Sequence, residues 1–289
     1  MKKLATFYKP EQTVTNMHSF SPSARKPKEV VEYFQPTGLI ELKQDWEPLT
    51  RPQIKVAHNS SFVDGILDLQ IANGFGNYSP ELAASLPYTQ GSFYNAALYA
   101  VENQSAAFSP TSGFHHAGFK ECEGFCTFNG LAVSAFLLWK QQKVKRVGII
   151  DFDCHYGNGT DDILDKFSNG REIVEHLTFG QMINEDERAG KRRNFDRWLD
   201  GLAVDLAEQF ATCDVLFYQA GADPHVEDPY GGYLTTEQMK RRDEIVFEVA
   251  SKLFLPIVWN LAGGYQTPLK KVLDLHLNTL NACHAKYLL

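Results

Sequence analysis

Asp151, Asp153 and His155 alternate along the stretch "DFDCHYGNGT" (Asp151–Thr160), directly after the apolar run Val147-Gly148-Ile149-Ile150. Two carboxylates and an imidazole thus stand where a buried strand should end. If extended geometry persists through them, the period of two projects all three to one side, with Phe152 and Cys154 opposite. That set suits a metal. A hydrolytic zinc takes three protein ligands, nitrogen or carboxylate oxygen, and keeps a position open for water or substrate. Asp153 and His155 supply two, and Asp228, in the "EDP" turn after the next long strand, supplies the third. Two carboxylates and a neutral imidazole balance one divalent cation. The plainer alternative has the acids capping a helix and His155 packed in the core.

His115 and His116 stand side by side in "GFHHAG". A packed core rarely takes such a pair, because each imidazole needs partners for two nitrogens. Beside a metal they read as a base that deprotonates the attacking water and a neighbour that tunes charge. Asp151 is placed to hold one imidazole and Asn158 to orient the other. Tyr265 follows Gly263-Gly264, where the backbone can bend sharply and bring a phenol toward a developing oxyanion. "GNGT" lacks the lysine of a P-loop and the spacing of a dinucleotide fingerprint, so it does not read as a phosphate site.

These residues follow four short apolar runs: "SAAFS" (Ser105 to Ser109), "VGIID", "VLFYQA" (Val215 to Ala220) and "PIVWNLA" (Pro256 to Ala262). Between them lie helical patterns over Leu131 to Gln142, Asn194 to Phe210 and Thr235 to Leu253. Thr235 with Gln238 forms a capping box at the start of the last. Continuous apolar strands separated by helices predict an α/β fold: a mostly parallel sheet with helices on both faces. In such sheets ligands bind outside the carboxyl ends of the strands, so the four turns should converge on one crevice. "GFGNYSPELAASLPYTQG" (Gly74 to Gly91) carries little periodicity and reads as a rim loop.

The chain has 289 residues, 44% of them hydrophobic, and no repeat or linker-like shift in composition, so a single domain over 1–289 is expected. Its 28 basic against 35 acidic side chains give a net charge of −7. That leaves no basic surplus for nucleic-acid binding. The longest apolar run, "LAVSAFLLW" (Leu131 to Trp139), is about half of the ~20 residues a spanning helix needs, so no membrane span is expected. "MKKLATFYK" imitates the start of a signal peptide, but Tyr8 and Lys9 end its apolar segment early, which predicts a cytoplasmic protein. Cys122, Cys126, Cys154, Cys213 and Cys283 form no disulfide framework or zinc knuckle.

Together, "SGFHHAG…EGFCTFNGLAVSA", "DFDCHYGNGT", "GADPHVEDPYGGYLT" and "LAGGYQ" resemble the zinc-dependent histone deacetylase and acetylpolyamine amidohydrolase superfamily. These motifs run from Ser112 to Gln266, about half of the chain. "GGYLTTEQMKRRDEIVFEVA" followed by "PIVWNLAGGYQ" is most similar to class IV histone deacetylases and their bacterial relatives. The resemblance implies an arginase/deacetylase-like three-layer fold and one zinc on Asp153, His155 and Asp228. It makes His116 the general base, pairs His115 with Asp151, and has Tyr265 polarise the amide carbonyl. Gly124 and Phe125 would form one wall of an acyl-lysine channel, and a structural K+ would sit near Asp151, Asp153 and His155, with Thr178 and Phe179 beside it. The implied reaction removes an acetyl or longer acyl group from an acyl-lysine protein or peptide, or from a small acylated amine such as a polyamine. Two departures stand out. Asn158 replaces the aspartate that class I enzymes carry behind the second histidine, and the acidic rim residue of those enzymes falls near Ser85. An arginase-type manganese pair would need a further carboxylate where Gly157 stands. A deacetylase-fold binding protein without turnover would not need the full catalytic set.

Overall fold

Runs that are apolar at every position are stable as strands only where both sheet faces are covered. The four runs behave this way in the structure, a computed structural model that describes residues 2–15 and 19–288. The strands are β1 (Leu4–Phe7), β2 (Ile40–Lys43), β3 (Ala106–Phe108), β4 (Val147–Asp151), β5 (Val174–Thr178), β6 (Val215–Gln219) and β7 (Ile257–Asn260). They form one sheet in the order β2-β1-β3-β7-β6-β4-β5, every neighbouring pair parallel. The four expected strands are therefore the contiguous centre of the sheet. The three that the apolar runs did not reveal stand outside that centre, toward the two edges.

The helices are α1 (Lys26–Phe34), α2 (Arg51–Ile54), α3 (Ser60–Leu67), α4 (Pro80–Asn103), α5 (Gly130–Lys140), α6 (Asn158–Lys166), α7 (Gly170–Ile173), α8 (Phe179–Arg188), α9 (Phe195–Gln209), α10 (Thr236–Lys252) and α11 (Lys270–Lys286). Strand side chains alternate between two cores, as a period of two requires. Phe108, Ile150, Leu216, Tyr218, Ile257 and Trp259 pack on one face with α1, α9, α10 and α11. Ala107, Val147, Ile149, Val215, Phe217 and Val258 pack on the other with α3, α4 and α5. Sheet between two helical layers is the predicted three-layer α/β arrangement.

The helix termini follow their signals. Thr235 and Gln238 make the reciprocal capping box at the start of α10, with Gln238 N donating to Thr235 Oγ1 at 3.3 Å and Thr235 N to Gln238 Oε1 at 3.0 Å. One expectation is corrected: the segment read as a rim loop from Gly74 to Gly91 enters α4 at Pro80. Ser79 caps it, accepting from Leu82 N at 3.1 Å, and Pro80 needs no amide partner in the first turn. Pro87 and Gly91 obscure the helical period. The glycine instead serves a close approach, since a Cβ there would fall 2.9 Å from Pro48 Cα. Ser85 is buried within α4 and donates to Leu82 O at 2.8 Å, so it is not at the rim.

Candidate active site

β4 ends at Asp151, and extended geometry does not continue through Asp153 and His155 as expected. Two successive side-chain turns replace it: Asp153 N donates to Asp151 Oδ1 at 3.1 Å and His155 N to Asp153 Oδ1 at 2.9 Å. Short acidic side chains readily capture the amide two residues on. The three groups converge all the same. Asp151, fully buried, also accepts from Gln219 Nε2 on β6 at 3.0 Å and from His115 Nδ1 at 2.7 Å. In register beside it on β5 is Thr178, whose hydroxyl accepts from Gly157 N, while Phe179 packs in the core.

The third acidic partner is not Asp228. His155 Nδ1 lies 2.9 Å from Asp153 Oδ1 and 3.1 Å from Asp223 Oδ2. Asp223 stands four positions past the end of β6 and is completely buried. Asp228 is turned elsewhere, its carboxylate accepting from Tyr265 N at 2.7 Å and Tyr230 N at 3.1 Å. Asp153, Cys154, His155 and Asp223 each present a ligand atom within 4.8 Å of the others. Burial, aided by Asp223 and Asp153, holds the Cys154 thiol protonated, and it donates to Tyr230 O at 3.3 Å. An oxygen, nitrogen, oxygen set therefore remains.

The donor set fits zinc on three further grounds. Burial and the Asp153 charge push the Asp223 carboxyl up to about 7, the mark of two acids that need a cation between them. Burial opposes a charged His155, yet Asp153 and Asp223 outweigh it and hold the imidazole at about 11. Gly263 leaves room above the pair: a Cβ there would fall 2.1 Å from Asp223 Oδ2 and 2.7 Å from Asp153 Oδ2.

The two adjacent histidines separate in charge. Burial works against protonated His115, but Asp151 and Asp153 prevail and raise its pKa to about 9. His116, whose ring centroid lies 4.0 Å from that of His115, is pushed down to about 4 by burial and by its charged neighbour. Its Nδ1 lies 2.6 Å from Asn158 Oδ1. With Nδ1–H donated to that oxygen, the lone pair of a neutral imidazole is left on Nε2, as a base requires.

Gly124 lies against this pair, and Phe125 follows it on the same turn. Both have left-handed backbone, φ +56° and +65°. Gly124 is required by contact, because a Cβ would meet His116 Cδ2 at 2.5 Å. Phe125 carries strain of the kind found at functional sites. Its ring borders Phe20, Phe75 and Tyr265, at centroid distances of 5.2, 5.3 and 6.2 Å. Tyr265 also packs edge-on to Tyr230 at 5.1 Å. Burial and the Asp153 and Asp223 charges raise its phenol pKa, so the hydroxyl is a donor throughout the ordinary pH range.

Two supporting residues came without a sequence signal. Lys26, in the first turn of α1, is fully buried and donates from Nζ to Ala262 O at 2.5 Å, next to the Gly263 turn. Burial lowers it to about 8 against the pull of Asp223 and Asp153. His58 braces the two loops that carry the histidine pair and the Gly124 turn. Its Nδ1–H donates to Gly118 O at 2.8 Å while Nε2 accepts from Asn129 N at 2.9 Å. Burial pushes His58 down to about 4. A depressed histidine contributes stability that is present above its unfolded pKa of ~6.5 and lost as pH falls toward the folded value. The urea-unfolding free-energy difference between wild type and His58→Gln should therefore shrink by on the order of 2 kcal/mol from pH 7 to pH 5. A difference that stays constant across that range would contradict a neutral brace.

Comparison with known proteins identifies the family. The family model for the histone deacetylase domain matches residues 21–174 and 180–280. Histone deacetylase 2 of Arabidopsis thaliana is 25% identical over 288 residues, covering 90% of this chain and 73% of that protein. Histone deacetylase 10, chloroplastic, of Oryza sativa subsp. japonica is 28% identical over 259 residues, 77% of this chain and 58% of that protein. Acetylpolyamine amidohydrolase 1 of Pseudomonas aeruginosa is 30% identical over 239 residues, 70% of this chain and 65% of that protein. In fold, the chain is similar to the crystal structure of the HDA15 HD domain, with a TM-score of 0.76 at 18% identity over 99% of this chain and 90% of that one.

Proposed function

Because the chain belongs to the histone deacetylase domain family, whose members hydrolyse amides, we propose that it removes an acetyl or longer acyl group from an acylated lysine by zinc-dependent hydrolysis. The observation that carries this reading is the Asp153–His155–Asp223 set, its two carboxylates buried and its imidazole half-buried, beside a neutral imidazole, His116. Those three side chains would hold one zinc, which when bound supplies a Lewis acid for the carbonyl and the water. A K+ near Asp151, Asp153 and His155 is part of the same proposal.

The chain's own groups account for the proton movements. His116 Nε2 takes a proton as water adds to the amide carbon. The Tyr265 hydroxyl donates to the oxygen as charge develops there. His116, now charged, returns its proton to the leaving amine nitrogen when the C–N bond breaks. His115, held as an imidazolium by Asp151, keeps its neighbour neutral until that transfer. Phe20, Phe125 and Tyr230 form an aromatic rim at the mouth suited to the alkyl stem of a lysine.

Similarity to an acetylpolyamine amidohydrolase supports a second substrate class, small acylated amines. Elemental analysis followed by kinetics on acyl-lysine peptides of graded chain length against acetylated polyamines tests both readings. Near-stoichiometric zinc with turnover lost on chelation and regained with zinc is expected. Zinc-loaded protein that hydrolyses none of these amides would overturn the proposal, and preference for a polyamine would select the second class.

A further inference from the structure

Glu123 stands on the turn that carries Gly124 and Phe125, exposed at the surface yet in contact with Asn158, the partner of the base. Asn158 Nδ2 donates to Glu123 Oε1 at 2.9 Å, while Asn158 Oδ1 faces His116 Nδ1 at 2.6 Å. The turn itself is pinned. Cys126 N donates to Glu123 O at 2.8 Å and Phe125 N to Gly74 O at 2.9 Å. Among the described residues, Glu123 makes no ion pair that would draw its carboxylate away.

An aspartate behind a catalytic histidine presents an acceptor whichever way its carboxylate turns. An asparagine does not. Its two ends are nearly isosteric, one accepting and one donating, so the surrounding network decides which end faces the imidazole. If the NH2 end faced His116, Nδ1 would have to accept and the ring proton would move to Nε2. The nitrogen facing the crevice would then have no lone pair with which to take a proton.

We propose that Glu123 is a positioning residue that fixes the direction of the Asn158 amide and, through it, the tautomer of His116. An ionised carboxylate only accepts, so only the NH2 end of Asn158 can face it. The oxygen end is thereby committed to His116 Nδ1–H, and Nε2 is left free. Glu123 thus makes a neutral asparagine serve where an aspartate would need no such anchor. The inference rests on the reading of His116 as the base.

The test uses the zinc-loaded full chain, wild type, Glu123→Ala, Asn158→Asp and the double variant, with equal zinc content and melting temperature as controls. Long-range 1H–15N correlation spectra read the His116 tautomer directly, and steady-state kinetics on an acetyl-lysine peptide read its consequence. Wild type should show the proton on Nδ1, and Glu123→Ala a mixture of both forms. Its kcat should fall about 10-fold with KM unchanged, in the range typical of orienting groups behind a catalytic one. In the Asn158→Asp background, the same Glu123→Ala change should have no such effect, because either oxygen of the new carboxylate accepts. An unchanged tautomer in Glu123→Ala overturns the proposal. So does a rise in KM at constant kcat, which would make Glu123 a substrate contact. If wild type hydrolyses no acyl amide, the proposed function fails, while the spectra still decide the role of Glu123.

Discussion

Asp223→Ala should leave the chain without zinc and without measurable turnover, whereas Asp228→Ala should keep its zinc. The geometry separates the two acids. Asp223 Oδ2 lies 3.1 Å from His155 Nδ1 in a closed cluster, while both Asp228 oxygens accept backbone amides, from Tyr265 and Tyr230. With only three protein ligands proposed, deleting one removes a third of the coordination and half of the carboxylate charge. The metal-free fold should tolerate the change. Removing Asp223 relieves its repulsion with Asp153 but also deletes its contacts with His155 Nδ1 and Cys154 N, so the two effects oppose and the metal-free variant should melt within a few degrees of metal-free wild type. Asp228→Ala should instead slow turnover by freeing the Tyr265 backbone. Elemental analysis of the two purified variants is the check. Stoichiometric zinc in Asp223→Ala, with loss in Asp228→Ala, would restore the ligand set first expected.

The second large effect is kinetic. Tyr265→Phe should fold normally, keep its zinc, still bind a hydroxamate, and turn over at least roughly 100-fold more slowly. Water attack puts negative charge on the amide oxygen, and the cation's charge is already largely met by Asp153 and Asp223. A second electrophile is needed. Two cationic side chains are buried near the turn, but both are committed, Lys26 Nζ to Ala262 O and Arg242 to Phe152 O, Gly221 O and Asp243. The Tyr265 phenol, held protonated by burial and by the nearby carboxylates, is the available donor. Losing one oxyanion donor typically costs on the order of 10² to 10³ in kcat, about 3–4 kcal/mol. The ring contacts with Tyr230 and Phe125 and the hydrogen bond from Tyr265 N to Asp228 Oδ2 do not involve the hydroxyl, so position should be retained. Near-normal turnover with zinc in place would sink this role.

Local pattern sufficed where chemistry and periodicity lie within one stretch of chain. Four largely apolar runs identified the central strands, because a strand covered on both faces is apolar at nearly every position; the exceptions, Asp151, Gln219 and Asn260, stand at the strand ends. β2 and β5, with a free edge, carry polar residues at several positions, Glu41 and Lys43 in one and Glu175 and His176 in the other, and gave no such signal. The adjacent histidines, the Asp-x-Asp-x-His spacing and the tyrosine after Gly-Gly named most of the site in the same way.

Only the tertiary structure chose between Asp223 and Asp228. Both belong to one irregular turn, where no period governs side-chain direction. The choice depends on which backbone amides the turn brings to each carboxylate: Asp228 is taken up by Tyr265 N and Tyr230 N, and Asp223 is left facing His155. Lys26, His58 and Glu123 join the site for a similar reason. Each comes from a segment distant in sequence from its partner, and a contact such as Lys26 to Ala262, across 236 positions, is set by packing helices on the sheet. Chain-local patterns state which residues can do chemistry. Which of them share the crevice is decided by how those helices and turns close over the strand ends.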